Sequence, residues 1–163
     1  MEFAEWLEAQ YQPYFSSYLQ HGWKTDRHYI KSIEMAPECM VVLVDVLHSY
    51  YPKDHYYFST IHAIPLLYQF VILHACWENQ WPAKPGDVYL RNLQIDTPRM
   101  IQQQENIRFV LNPLTRRTTP QWLYYAMAFT IGDETIASAF SGSLKYAVPH
   151  PKFSQINSPQ STL

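Results

Sequence analysis

The sequence predicts an α+β fold in which an antiparallel sheet curves around one long helix. Residues Ala63–Trp77 are apolar on nearly every face of a helix, and only Gln69 and His74 interrupt them. A helix that is apolar all round has to be buried on all sides. Four runs rich in β-branched and aromatic residues follow between Val88 and Tyr146. A buried helix followed by a series of antiparallel strands is the outline of the hotdog fold.

The length of 163 residues predicts a single domain. We expect this domain to span residues 1–148, with the sheet wrapped around a central helix over about 62–80. Apolar residues spaced by three and four predict a further amphipathic helix over residues 2–19. The Pro- and Ser-containing tail, residues 149–163, has few side chains to bury and is expected to be mobile.

Two strands are predicted before the central helix and four after it. They are Tyr29–Met35, Met40–Leu47, Tyr89–Ile95, Ile107–Leu111, Trp122–Ile131 and Thr135–Tyr146. A turn is expected at Ala36-Pro37-Glu38, and a two-residue hairpin turn at Gly132-Asp133. Tyr56–Phe58 is predicted as a short strand that leads into the helix. Because proline is tolerated in the first turn of a helix, Pro65 places the helix start near residues 61–64.

Composition excludes several classes of function. The net charge is −2 and only 16% of residues are charged, so the chain lacks the basic stripe of nucleic-acid-binding proteins. Thirteen tyrosines and five tryptophans suggest an amphipathic cleft or a large subunit interface, and we expect a homodimer. The acidic N-terminus lacks the apolar segment of a secretory signal. Ala63–Trp77 is too short and too interrupted to span a bilayer. A soluble, cytoplasmic protein is predicted.

Motifs for metals, phosphates and strong nucleophiles are missing from the sequence. There is no His-Glu-x-x-His, no Cys-x-x-Cys and no Gly-x-Ser-x-Gly, and the four glycines are scattered. Cys39 and Cys76 do not make a disulfide framework, and Cys76 is interpreted as a small apolar residue of the buried helix. We therefore predict no metal and no cofactor.

The start of the central helix is the expected place for chemistry in a hotdog fold, which most often handles acyl thioesters. Free backbone N–H groups there can polarise a thioester carbonyl, and a second group acts as base or orients water. His62 lies at this position, directly after Ser59 and Thr60. It could be a general base or a donor to the carbonyl, or it could stabilise the helix start and bind nothing. Tyr56 borders the same place.

Gln69 and His74 are the polar interruptions of the apolar helix, and burying either without a partner costs roughly 1–3 kcal/mol. Each could bond a backbone group or a dimer mate, or one of them could contact the substrate. They are separated by about 500° of helix rotation, so they do not share a face. Glu78, four residues after His74, could pair with it or supply a carboxylate to the site.

In its order of motifs, the chain resembles the FcoT-type long-chain fatty acyl-CoA thioesterases. The likeness runs from about Arg27 to Tyr146, and its markers are Tyr29-Ile30, Tyr56 six residues before His62, the run Ser59-Thr60-Ile61-His62, and Leu111-Asn112-Pro113. The resemblance implies a hotdog dimer that binds an acyl thioester of coenzyme A or acyl carrier protein. It implies Tyr56 and His62 as the catalytic residues of the pocket, and Tyr18 as a further substrate-binding tyrosine.

Two helix positions depart from the family pattern. The family carries an asparagine two residues after the motif histidine and another further along, whereas this chain has Ile64 and Leu73. Ile64 is expected to be a substrate-binding residue at its position. The loss of two amides argues against ordinary hydrolysis. Relatives in natural-product pathways resemble lyases that add an amine such as glycine to an α,β-unsaturated acyl carrier-protein thioester. Three hypotheses result: a thioesterase-like enzyme, which leads; a lyase or hydratase acting on enoyl thioesters; and a catalytically silent acyl-binding or scaffold protein.

Overall fold

The computed structural model describes residues 27–48 and 56–150, and every structural statement below concerns these residues. The helix predicted over residues 2–19 lies outside them, as do Tyr18 and the tail beyond residue 150.

The described residues form six strands and one long helix. The elements are β1 (Arg27–Ala36), β2 (Cys39–His48), α1 (Thr60–Glu78), β3 (Tyr89–Asp96), β4 (Ile107–Thr118), β5 (Trp122–Gly132) and β6 (Phe140–Pro149). All six predicted strands are therefore present. The β1–β2 turn is also confirmed, because Ala36 pairs with Cys39 and only Pro37 and Glu38 lie between the two strands.

One antiparallel sheet contains all six strands in the order β1-β2-β4-β5-β6-β3. The chain leaves β2, passes through α1 and returns as β3 at the far edge of the sheet. This connection crosses the width of the sheet. The result is a curved sheet around one helix, as the sequence predicts.

The core lies between α1 and the inner face of the sheet. Along β5, buried residues alternate with partly exposed ones, which is the pattern of a strand with one face on the core. Phe70 of α1 meets Phe109 of β4 edge to face, with 5.1 Å between the ring centroids. By length and composition α1 could cross a membrane, but 72% of its apolar stretch is buried inside the fold. It is the core helix that the sequence predicts.

The helix starts slightly earlier than predicted. It begins at Thr60, so Pro65 lies in the second turn rather than in the first. Proline has no backbone N–H, so the bond that residue 65 would otherwise make to the carbonyl of Ile61 is absent. Before the helix, the predicted strand at Tyr56–Phe58 is reduced to one bridge between Phe58 and Ile101.

The predicted hairpin turn at Gly132-Asp133 is wrong. β5 ends at Gly132 and β6 begins only at Phe140, so a longer loop joins them. The Asp133 carboxylate organises this loop, because its Oδ1 accepts hydrogen bonds from the backbone N–H groups of Thr135 and Ile136 and from the Thr135 hydroxyl. An aspartate side chain that accepts hydrogen bonds from nearby backbone N–H groups stabilises a turn. The longer loop is therefore stable without pairing between the strands at this point.

Candidate functional site at the start of the central helix

Ser59 and His62 fix the start of α1 through a hydrogen bond. Ser59 is the N-cap residue and has an extended backbone. Its backbone N–H donates to Nδ1 of His62, with 3.1 Å between the two nitrogens, and its Oγ lies 3.2 Å from the same nitrogen. This is the geometry of a capping box, in which the third helical residue reaches back to the N-cap N–H. Histidine takes the place usually held by Glu or Gln.

Three aromatic rings surround the His62 imidazole. Phe58 stacks on it at 5.3 Å between ring centroids, with an interplanar angle of 22°. Tyr56 lies at 6.0 Å and the His28 ring, from the beginning of β1, at 5.8 Å edge to face. His62 is 0% exposed. The structure therefore brings together Tyr56 and His62, the two residues predicted to be catalytic, and adds Phe58 and His28.

The hydrogen bond from Ser59 determines which ring nitrogen of His62 holds the proton. A backbone N–H can only donate, so Nδ1 has to accept and is unprotonated. In a neutral imidazole the proton is then on Nε2. His62 thus presents an N–H donor on its far side. In this state it suits the polarisation of a carbonyl oxygen better than the removal of a proton.

The other predicted substrate residues are distributed along α1. Gln69 is buried and lies seven residues after His62, which places both on the same face about 10 Å apart along the axis. Ile64 and Leu73 stand at the two positions where the family that the chain resembles carries asparagine. Ile64 is 40% exposed and Leu73 is buried. His74 lies about 18 Å from His62 along the helix axis. Gln69 is thus the nearer of the two polar residues to His62.

His74 belongs to a polar cluster near the C-terminal end of α1. Its Nδ1 is 3.1 Å from the Tyr146 hydroxyl, and Tyr146 stacks on Tyr125 with 4.9 Å between centroids. Burial lowers the pKa of His74 below its ordinary value, although the nearby Glu78 carboxylate acts in the opposite direction. Burial also raises the pKa of Tyr146 and of Tyr125. All three side chains are therefore neutral near pH 7.

Glu78 does not pair with His74, as the sequence suggested it could. Its Oε1 instead lies 3.4 Å from Nη1 of Arg116. Asn79 connects the same arginine to the tyrosines: it accepts a hydrogen bond from Arg116 and donates to the Tyr125 hydroxyl, both at 2.8 Å. These residues attach the end of the helix to β4 and β5.

A half-open cavity of about 810 Å³ adjoins this cluster. Its walls come from β1, from the C-terminal half of α1 and from the residues that follow each of them; the apolar ones include Ile33, Met35, Leu73, Trp77 and Trp81. His74 and Glu78 supply polar groups to the lining. The volume lies in the range of small-molecule sites, roughly 300–1,000 Å³.

Neither a metal centre nor a reactive thiol is found in the described part of the chain. Residues 27–48 and 56–150 contain no group of three His, Cys, Asp or Glu side chains that could hold a metal ion. Cys76 is buried, and burial raises the pKa of its thiol to about 12. A thiol with such a pKa is inert as a nucleophile at neutral pH.

Comparison with known proteins supports the fold and does not assign a family. No protein-family profile matches the chain, and no curated protein matches it by sequence. Among solved structures, the dehydratase heterocomplex ApeI:P from Xenorhabdus doucetiae is similar, with a TM-score of 0.58 and 13% identity over 79% of this chain and 89% of that one. AziG from S. sahachiroi has a TM-score of 0.53 and is 12% identical, over 83% of this chain and 98% of that one. A mutant of the thioesterase PA1618 from Pseudomonas aeruginosa has a TM-score of 0.52 and is 10% identical, over 92% of this chain and 96% of that one.

These neighbours place the chain among proteins with the hotdog fold. They include a thioesterase and a dehydratase heterocomplex, so this fold occurs in proteins with different activities. At 10–13% identity the likeness concerns the fold alone.

Two residues that contact His62, Phe58 and His28, were not predicted from the sequence to belong to the site. Phe58 directly precedes the N-cap, where an apolar residue often packs at a helix start, so its position was a usable signal. The sequence around His28 contained no such signal, because only the pairing of β1 at the edge of the sheet brings His28 close to α1. The contact of Arg116 with Asn79 is also long-range, and no local pattern predicts it.

Proposed function

We propose that this protein acts on acyl thioesters of coenzyme A or of acyl carrier protein, with the thioester carbonyl held at the start of α1. The observation that supports this most is the state of His62. Its Nδ1 is engaged by Ser59, so its Nε2–H is oriented as a hydrogen-bond donor. Tyr56 adjoins the same imidazole. A thioesterase-like reaction is the leading hypothesis.

The chemistry assigned to this cluster is stabilisation of negative charge on the carbonyl oxygen. The first backbone N–H groups of a helix lack partners within the helix, and they favour negative charge. The Nε2–H of His62 would add a donor that is fixed in place by the cap and by stacking on Phe58. Fixed donors aimed at a developing oxyanion are typically the largest catalytic contribution of such a site. Tyr56 would orient the same oxygen.

Addition to an enoyl thioester is the second candidate. Hydrolysis needs a group that activates water, and His62 cannot accept a proton at Nδ1 without losing its hydrogen bond from Ser59. An amine such as glycine attacks the β-carbon with its own lone pair, and the electrons of the C=C bond move into the polarised carbonyl to form an enolate. A base removes a proton from the nitrogen and a proton is added at the α-carbon, so the reaction needs a base and a polarised carbonyl but no activated water. The apolar residues at positions 64 and 73 fit this candidate. Gln69 and His74 are proposed as substrate contacts further along the helix.

A silent acyl-binding protein is the third candidate, and the burial of His62 favours it. Because His62 is fully buried, a substrate reaches its Nε2 only when side chains around the helix start move. A histidine used solely as a cap would have the same hydrogen bond to Ser59. The three candidates therefore differ in whether turnover occurs and in what is formed.

A panel of thioesters distinguishes these candidates. The protein is incubated with acyl-CoA and enoyl-CoA thioesters and with the corresponding carrier-protein thioesters, each with and without glycine. Release of free thiol supports hydrolysis. A gain in mass of glycine or water on the intact thioester supports addition, and binding without turnover supports the silent protein. Absence of both binding and turnover across the panel would contradict the proposal.

We further propose a cytoplasmic homodimer. β1 and β3 lie at the two edges of the sheet, so within residues 27–48 and 56–150 each leaves one side of its backbone without a neighbouring strand. The high aromatic content of the sequence, with thirteen tyrosines and five tryptophans, fits a surface that a second subunit covers. Sedimentation velocity at micromolar concentration is expected to give twice the mass of the 19.3 kDa chain. A monomer with full activity would contradict the dimer.

A further inference from the structure

Basic and aromatic side chains gather on the outer face of the sheet, the face turned away from α1. Tyr124 of β5 alternates with buried neighbours and pairs with Arg117 of β4. Its partner on the other side, Ala147, pairs in turn with Tyr89. Directly paired residues lie on the same face of a sheet. We call this surface the outer basic face; it consists of Tyr89, Arg91, Arg117, Trp122, Tyr124 and Lys145.

The cations of the outer basic face form no ion pair within the described part of the chain. Arg91, Arg117 and Lys145 are exposed, and none of them forms an ion pair with a described residue. The Arg91 guanidinium lies 5.8 Å from the centroid of the Tyr124 ring, which holds the cation over an aromatic face. The whole chain has a net charge of −2, so this local excess of cations is not a consequence of a basic chain.

Two grooves cross this surface. One groove of about 440 Å³ is lined by residues that include Arg91, Arg117, Tyr124 and Lys145. A second groove of about 380 Å³ adjoins it and shares Arg91 and Tyr124. Both volumes fall in the range of small-molecule sites, roughly 300–1,000 Å³. Three cations around a groove of this size match a small anion with several charges.

Aromatic rings form the wall of the second groove. Tyr89 and Trp122 meet at 5.4 Å between centroids, with 74° between their planes. Planar bases stack well on such side chains, and arginine and lysine bind phosphate groups. Cations beside aromatic rings that are exposed, as in Tyr89, or partly exposed, as in Trp122, therefore fit a ligand that has both phosphates and a base.

We propose that the outer basic face binds a nucleotide with two or more phosphates. Arg91, Arg117 and Lys145 would hold the phosphates, and the wall of Tyr89 and Trp122 would hold the base. A free nucleoside diphosphate and the nucleotide part of coenzyme A share this chemistry. The site is separate from the start of α1, because it lies on the opposite face of the sheet. It does not depend on the proposed thioester chemistry.

Calorimetric titration of the full chain with ADP, adenosine, pyrophosphate and coenzyme A tests this site. ADP is expected to bind more tightly than adenosine or pyrophosphate alone, and its affinity should fall as salt rises. Arg91→Glu and Arg117→Glu should each weaken ADP binding by roughly tenfold or more, the typical effect of losing a hydrogen bond to a charged group. Tighter binding of coenzyme A than of ADP, with the same loss in both variants, identifies coenzyme A as the source of the nucleotide. Weaker binding of coenzyme A than of ADP identifies a free nucleotide, and equal binding shows that the site recognises only the nucleotide part that the two ligands share.

Arg108→Glu is the matched control. Arg108 is an exposed cation on β4, like Arg117, but it lies at the opposite end of that strand and outside both grooves. Its substitution is expected to leave ADP affinity unchanged. The proposal fails if ADP does not bind at millimolar concentration, or if Arg108→Glu weakens binding as much as Arg117→Glu. Because ADP contains no thioester and no acyl carrier, either failure leaves the thioester proposal unaffected.

Discussion

The backbone N–H of Ser59 donates a hydrogen bond to Nδ1 of His62 across 3.1 Å. This hydrogen bond has two consequences. It satisfies a backbone donor at the N-cap, which stabilises the start of α1. It also leaves the ring proton of the neutral imidazole on Nε2.

The first prediction is the tautomer of His62. A two-bond ¹H–¹⁵N correlation spectrum near pH 7 should show His62 with a protonated Nε2 and an unprotonated Nδ1, because Nδ1 accepts from a backbone N–H. A spectrum with the proton on Nδ1 would rule out the hydrogen bond from Ser59. It would also remove the argument that His62 acts as a donor rather than a base.

The second prediction concerns Tyr56. Tyr56→Phe removes one hydroxyl and little packing, so we expect a loss of turnover smaller than that of His62→Ala, with little change in melting temperature. Tyr57→Phe is the matched control, since Tyr57 is the neighbouring tyrosine and its side chain is exposed. The rates are measured on the thioester that the wild-type protein turns over. If Tyr57→Phe lowers turnover as much as Tyr56→Phe, the assignment of Tyr56 to the site is wrong.

The third prediction is a dependence of stability on pH that comes from His74. Burial lowers the pKa of His74 in the folded protein, so below about pH 6.5 the unfolded chain takes up the proton first. The contribution of neutral His74 to stability is therefore complete above this pH, and it is lost as the pH falls below it. The free energy of unfolding, measured with urea at several pH values, should decrease from pH 7 to 5.

Two variants test whether His74 causes the slope of the free energy of unfolding against pH. His74→Phe should flatten it, because the titrating group is gone. Tyr146→Phe removes the hydroxyl near Nδ1 but leaves the imidazole buried, so it should retain the slope while lowering stability. An unchanged slope in His74→Phe would show that other groups cause the pH dependence.

How far the sequence predicts this structure depends on the range of the interactions. The buried helix and all six strands follow from local apolar patterns. The structure agrees with these patterns, because the apolar residues of α1 are buried and the residues of β5 alternate between buried and partly exposed. The hairpin after β5 was mispredicted because three hydrogen bonds to the Asp133 carboxylate favour a longer loop over a two-residue turn. β4 was predicted too short, since it continues past Pro113 through a bulge that strand patterns do not anticipate.

The candidate site was predictable only in part. His62 and Tyr56 were identified because they flank the helix start within six residues of each other in the sequence. His28 reaches the same imidazole from β1 through sheet pairing, which a single sequence does not reveal. The capping hydrogen bond was one of the two roles considered for His62, and the sequence alone gave no basis for choosing the tautomer.

The fourth prediction tests the close approach of β3 to β6. Gly142 faces β3 so closely that a Cβ there would collide with the backbone carbonyl of Gln94 and with the Phe129 ring. Gly142→Ala should therefore lower the free energy of unfolding by about 1–3 kcal/mol, as overpacking does in well-packed interiors. Ser141→Ala, the adjacent position, is the control and should change it much less. Equal stability of Gly142→Ala and the wild-type protein would contradict the pairing of these strands.

The turnover of His62→Ala tests the central claim most directly, with His62→Gln as its partner variant. Glutamine at this position can accept from the Ser59 N–H, as in an ordinary capping box, so it separates the cap from the imidazole. Both variants are compared with the wild-type protein by thiol release or product mass, counted per folded molecule. Unfolding in urea gives the folded fraction and the stability.

His62→Ala is expected to lower turnover per folded molecule by roughly 10²–10³-fold, the typical cost of losing one oxyanion donor. It should also lower the free energy of unfolding by about 0.5–2 kcal/mol through loss of the cap. His62→Gln should recover most of the stability while turnover stays below the wild-type value. If His62→Ala loses stability alone and keeps wild-type turnover per folded molecule, His62 is only a helix cap and the proposed site is wrong.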